Sequence, residues 1–219
     1  SRMGKKHIKD KVKHYQNDLL YAKNHIVGEL KIGIPHSLLE YILNDTLGEL
    51  PKKVHLNWVV GNYLPYLYEK SFDAVIFCGA LPMGDFYAKK VGTWKKVVCA
   101  SKNYLKEHQK LDCPSALLSH DCLDHIDNFQ STWQLDQSYP IRITQRCSSS
   151  SLIAQMAEND LGLCYLPSFT VKKQLEAGDL VEVLTPYTTQ QFDIFMVTKE
   201  PIADTRKLAL IHNFFKQCL

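Results

Sequence analysis

Apolar positions along this chain switch repeatedly between a period near two and a period near 3.6, and the switches mark out strands and helices in alternation. Residues 30–34 read as a strand, and 37–48 as a helix with Leu39, Ile42, Leu43 and Leu47 on one face. Pro51 breaks that helix, and Val54, Leu56, Trp58 and Val60 then alternate as in a half-buried strand. Residues 62–70 predict a short helix, 73–78 a buried strand ending at Gly79, 80–86 a loop, and 95–100 a further strand. The second half repeats the scheme. Ser101 opens a short helix, 110–140 is rich in loop residues, 141–146 is a strand and 149–160 a helix. Leu161–Leu166 is a strand closed by Pro167, and 168–177 is a helix stopped by Gly178. Residues 180–184 and 192–198 are strands, and Asp204 can cap a last helix carrying Leu208, Ile211, Phe214 and Phe215. Strands separated by helical stretches imply βαβ units and a largely parallel sheet.

Ahead of this body, Ile8, Val12, Tyr15, Leu19, Ala22 and Ile26 are spaced 4, 3, 4, 3, 4. That spacing lays them on a narrow seam of one helix, which Gly28 can end. The seam fits pairing with a second helix; an amphipathic helix packed on its own domain is the plainer alternative. Residues 1–28 hold seven Lys/Arg against Asp10 and Asp18, hence +5; the whole chain is +3, so the other 191 residues carry −2. Any polyanionic partner would meet the N-terminal segment, because the body is nearly neutral.

Composition narrows the classes further. No apolar run approaches the roughly 20 residues of a membrane helix. The seven cysteines are odd in number and form no CxxC, so reduced thiols in a cytoplasm are expected. Neither a G-x-S-x-G elbow, a P-loop nor a dinucleotide fingerprint occurs, and no enzyme activity or cofactor is expected. His120-Asp121-Cys122-Leu123-Asp124-His125-Ile126-Asp127 is the densest set of metal-ligand types. Its ligands are too crowded for an ordinary zinc site, and no metal is expected.

Two segments echo each other. Lys31-Ile32-Gly33-Ile34-Pro35-His36-Ser37 leads from a short strand into a helix. Ile141-Arg142-Ile143-Thr144-Gln145-Arg146-Cys147-Ser148-Ser149-Ser150-Ser151 does the same. A helix start carrying hydroxyl residues offers free N–H groups and a positive dipole end to an anion or polar ligand. Two such units suggest a clamp around a small molecule. Each serine could equally be a helix cap and nothing more. Whether Cys147 or Ser148 points inward depends on a one-residue register.

The chain resembles the effector-binding (co-inducer) domain of LysR-type transcriptional regulators, preceded by that family's linker helix. The resemblance runs through GELKIGIPHS, FDAVIFCGALP, KKVVCASKNYLKEH, LLSHDCL and, with the most specific spacing, SSSLIAQMAENDLGLCYLPSFTVKKQLEAGDLVEVL. It implies an α/β fold of two Rossmann-like lobes of the type 2 periplasmic-binding-protein kind, joined by two crossovers near Ser101 and Gln191. The linker and dimerisation helix would be 1–28, lobe I 29–100 plus 192–219, and lobe II 101–191. The chain begins too late to hold the family's DNA-reading winged helix-turn-helix, so a fragment that senses without reading DNA is expected.

The resemblance also implies a small-molecule effector in the interlobe cleft. Ser37 with His36, the strand end Cys78–Gly79, the hinge residues Ala100 and Ser101, and Cys147, Ser148 and Ser149 are candidate contacts, with Phe129 and Tyr165 as walls. The family often has an effector-contacting side chain at or near the loop at the Cys78–Gly79 strand end; here it is Cys78 followed by small residues, with no Arg or Thr, which suggests a smaller or more apolar effector, or none. Expected partners are a second copy (dimer or tetramer through the Ile8–Ile26 seam), and promoter DNA and RNA polymerase through the full-length protein, with no membrane. The competing expectation is a solute-binding receptor or carrier with no DNA function, for which a coiled-coil seam has no use.

Overall fold

The computed structural model describes residues 28–45, 51, 54–61 and 72–219; the heptad seam Ile8–Ile26 and the helix expected over 62–70 lie outside them. Strand β1, Glu29–Ile34, buries Leu30, Ile32 and Ile34 and is flanked by two parallel strands, β2 (His55–Val60) and β3 (Ala74–Cys78). After Pro35, helix α1 (His36–Asp45) turns Leu38, Leu39 and Ile42 onto the sheet, as its apolar spacing requires. Strand β4 (Tyr87–Ala100) follows a loop. The short helix α2 (Lys102–Glu107) is capped by the Ser101 hydroxyl, which accepts the Tyr104 N–H at 3.0 Å.

The second lobe continues with β5 (Cys122–His125), a hairpin of β6 (Thr132–Gln134) and β7 (Ser138–Pro140), and β8 (Ile143–Cys147). Helix α3 (Ser150–Glu158), β9 (Leu163–Pro167), helix α4 (Ser168–Ala177) and β10 (Val181–Val183) complete it. Gly178 ends α4 in the left-handed conformation, at φ 78°, as a C-terminal glycine should. The chain then returns through β11 (Gln191–Thr198) to helix α5 (Arg206–Cys218), whose Leu208, Ile211, Phe214 and Phe215 are buried.

The strands run in the order β2-β1-β3-β11-β4-β9-β5-β8, with β10 also on β4. The sheet is mixed where a largely parallel one was expected: β11 is antiparallel to β3 and β4, and β4 to β9 and β10. The long β4 explains this. Tyr87 to Lys95 pairs with β11, and Lys96 to Ala100 pairs with β9 and β10. One strand therefore passes through both lobes and changes partners between Lys95 and Lys96. The resemblance implies a crossover near Ser101; the four residues before it, Val97, Val98, Cys99 and Ala100, are fully buried with second-lobe residues.

Each lobe has its own core. In the first, α1 and α5 cover Ile32, Ile76, Ile194 and Met196, while Phe72, Val75 and Val197 cluster separately. In the second, Val98 and Ala100 pack with Tyr104, Trp133 and Tyr165, whereas Val97 and Cys99 pack with Ile153, Ala154 and Val171. The alternation of side chains along β4 places those two clusters on opposite faces of the sheet. No described helix is long and apolar enough to cross a membrane.

Candidate functional site

Helix α1 of the first lobe lies against α4 of the second, and the N-terminal turns of α1 and α3 border the same space. A cavity of about 190 Å³ opens there, lined by Ser37, Tyr41 and Asn44 of α1, Ser151 and Gln155 of α3, and Thr170 of α4. The Thr170 hydroxyl is buried without a hydrogen-bond partner. Two aromatic rings line the cavity, Tyr41 and Phe169, 6.1 Å apart between centroids; behind them Phe169 meets Trp94 (6.0 Å), and Trp94 meets Phe192 of the returning strand (5.0 Å). Beside it, Lys172 Nζ donates to Asp45 Oδ2 at 2.6 Å and lies over the Tyr41 ring at 5.1 Å. The hydrogen bond to Asp45 holds the Lys172 ammonium above the usual lysine range. The pair bridges the lobes, but partial exposure limits it to about 0.2–1 kcal/mol. It selects an arrangement more than it stabilises one.

The serine-rich start of α3 divides its duties in a way that one-residue register could not reveal. Ser149 is the cap: its hydroxyl accepts the Leu152 N–H at 3.4 Å and is 3.1 Å from the Ser151 hydroxyl. Ser151, not Ser149, lines the cavity with Ser37. Ser148 is exposed, and its carbonyl lies 3.0 Å from His125 Nε2. Cys147, at the end of β8, packs against the second-lobe core. His36 is 60% exposed and faces Glu40 at 3.7 Å, so it belongs to the surface of α1.

The other candidates lie elsewhere. Cys78 ends β3, and burial pushes its thiol up to about 12. At that value it stays protonated at neutral pH and is a poor nucleophile. Gly79 (φ 121°) donates its N–H to the Asp193 carbonyl at 3.1 Å, tying the β3 end to β11. Neither borders the 190 Å³ cavity. Ala100 is inside the second core and Ser101 donates to Asp160, so both sit beyond the point where the lobes exchange. Phe129 is 86% exposed and does not wall the cavity. Tyr165 is buried against Trp133 and borders a separate, smaller recess beside Lys96.

The ligand-rich run 120–127 dissolves into other roles. Tyr104 Oη and His120 Nδ1 are 3.1 Å apart, and burial together with His108 lowers the His120 pKa. Cys122 lies in the core with its thiol pushed up to about 12 by burial. Asp124 accepts from the Trp133 indole at 3.2 Å and from Asn128 at 2.7 Å. Among the described residues no three His, Cys, Asp or Glu side chains converge as metal ligands.

Sequence reading passed over Ser151, Thr170 and Lys96. The signal for Lys96 was present: a lysine directly before the wholly apolar run Val97–Ala100 must sit at the edge of a core.

Comparison with known proteins agrees with this architecture. The family model described as "LysR substrate binding domain" matches residues 23–218. The HTH-type transcriptional activator AaeR of Escherichia coli is 25% identical over 214 residues, covering 90% of this chain and 67% of AaeR. The regulatory domain of CrgA from Neisseria meningitidis superposes with a TM-score of 0.76 at 20% identity, covering 87% of this chain and 98% of that one. The full-length Vibrio cholerae virulence activator AphB superposes with a TM-score of 0.74 at 20% identity, covering 96% and 75%. Two lobes sharing the strand β4 and facing each other through α1, α3 and α4, together with a family match over nearly the whole length, make this chain a member of the LysR substrate-binding domain family, the effector-sensing part of LysR-type transcriptional regulators.

Proposed function

We propose that a small-molecule effector binds between the lobes at the Ser37–Ser151 cavity and shifts the balance between two lobe arrangements. The observation that carries this reading is that hydroxyls from different lobes, each at a helix start, line one 190 Å³ space. A ligand held by both prefers the arrangement that brings them together, and only such differential affinity can move the equilibrium. Lobe I would comprise 29–95 with 191–219, and lobe II 96–190. The change would pass through a homodimer, formed along the Ile8–Ile26 seam, to DNA-reading domains of a full-length cytoplasmic regulator acting at promoters with RNA polymerase. Catalysis has no part in this scheme.

The test is a thermal-shift screen of metabolites, since a ligand that binds only the folded form raises its melting temperature. Ser37→Leu and Ser151→Leu should each abolish the shift produced by the best ligand while leaving the unliganded melting temperature nearly unchanged. A double variant that still responds fully would remove the cavity from the scheme. The seam predicts a dimer by light scattering at tens of micromolar; a monomer there would refute pairing through it.

A further inference from the structure

A second recess lies at the hinge, on the sheet face opposite α4. Lys96 is the residue at which β4 leaves β11 for β9. Its neighbour Lys95 points to the other face and is paired with Glu182 at 3.2 Å. Lys96 has no such partner: among the described residues no carboxylate lies within ion-pair distance of its ammonium, which sits over the Tyr165 ring at 4.2 Å. Asp124 supports the Lys96 charge only from a distance, its oxygens being taken by Trp133 and Asn128. Burial lowers the Lys96 pKa and Asp124 partly restores it. A half-desolvated cation leaning on a π-face is an incomplete arrangement.

The residue that faces this recess from the returning chain is also incomplete. Thr188 is 4% exposed, and its hydroxyl has no hydrogen-bond partner. Lys96, Thr188, Tyr165, Gln134 and Phe192 enclose a space of about 40 Å³. Asp136 also lines it, but is exposed to solvent, and its carboxylate accepts the Gln137 N–H at 3.0 Å. That volume exceeds the roughly 10–15 Å³ needed for one water and suits a group of two oxygens. One cation and one hydroxyl match a single negative charge, not the two of a phosphate.

We infer that this recess binds the carboxylate of a small organic acid, with the Lys96 ammonium as its charge partner and the Thr188 hydroxyl as a second donor. The recess joins β4, where it crosses between lobes, to the segment that returns before Gln191. Its occupant therefore touches both crossings. The claim that occupancy biases the lobes rests on the sensing function proposed above; binding itself does not.

The experiment titrates the protein with acetate, acetamide and inorganic phosphate at constant ionic strength, following by NMR the Lys96 ε-carbon in protein carrying ¹³C-lysine and, in the parent and in both Lys96 variants, the Tyr165 and Thr188 amides in protein carrying ¹⁵N. Acetate should give a saturable shift with a Kd on the order of millimolar, and acetamide none. Lys96→Met keeps the apolar stem and should remove acetate binding; Lys96→Arg keeps the charge and should retain it. Thr188→Val should weaken acetate about fivefold, the worth of one hydrogen bond. Equal response to acetamide, tighter binding of phosphate, no saturation by roughly 100 mM acetate, or undiminished acetate binding by folded Lys96→Met would each overturn the assignment. A metabolite response that needs Ser37 and Ser151 but survives Lys96→Met would leave the sensing function standing without this site. Acetate binding with no change in lobe arrangement would do the reverse.

Discussion

Gly162→Ala should lower the stability of the domain by at least about 3 kcal/mol, a fall of roughly 6–12 °C in melting temperature for a chain of this size. Gly162 precedes β9 with φ at 154°, a backbone region that L side chains rarely adopt. A Cβ there would lie 2.4 Å from the Asp121 carbonyl oxygen and 3.0 Å from its carbon. Both are backbone atoms, so no rotamer change relieves the contact. Separation would also break the 2.8 Å hydrogen bond from the Leu163 N–H to that same oxygen, where β9 begins to align with β5. Differential scanning calorimetry of the folded variant decides the matter: melting within about 2 °C of the parent would mean that the close approach is not required.

Trp133→Ala should cost about 3–5 kcal/mol, measured by urea denaturation. Trp133 is 1% exposed and its ring centroid is 5.5 Å from that of Tyr165, so truncation leaves a cavity under the β6–β7 hairpin. It also strips a donor from Asp124, a carboxylate only 7% exposed. Trp133→Phe separates the two effects: it keeps most of the ring and loses the donor, and should cost about 1–3 kcal/mol. If alanine and phenylalanine cost the same, the hydrogen bond to Asp124 dominates and packing is secondary. A loss under about 1.5 kcal/mol for alanine would contradict the burial of this residue.

What could be read from the amino acids followed the strength of the local pattern. β1, β3, β9, α4 with Gly178, and α5 were legible because apolar periodicity, a stop residue and length agreed at each. The first half of β4 was not: Tyr87, Lys89, Lys90 and Thr93 are exposed, and Gly92 interrupts the alternation that marks a strand. β5 was hidden by its own chemistry. Asp124 and His125 look like surface or metal-binding residues, whereas Asp124 is buried by satisfying an indole and an amide from the segment that follows. The site was half legible. Hydroxyl-bearing helix starts in each half pointed to the candidate cavity that Ser37 and Ser151 line, but which serine of a run caps and which faces that space is set by the helix's rotation against its neighbours. Lys96 and Thr188 meet only in three dimensions, 92 positions apart in the chain.

The unbroken passage of β4 through both lobes has a mechanical result. Hinges made of loops rotate freely over wide angles, but here the β11, β9 and β10 ladders grip the strand on either side of the Lys95–Lys96 junction. Any relative motion of the lobes would have to be taken up as twist along a hydrogen-bonded ribbon. A rotation of one lobe against the other would thus wind this ribbon as it would a torsion spring, and the ladders on both sides would oppose a large angle.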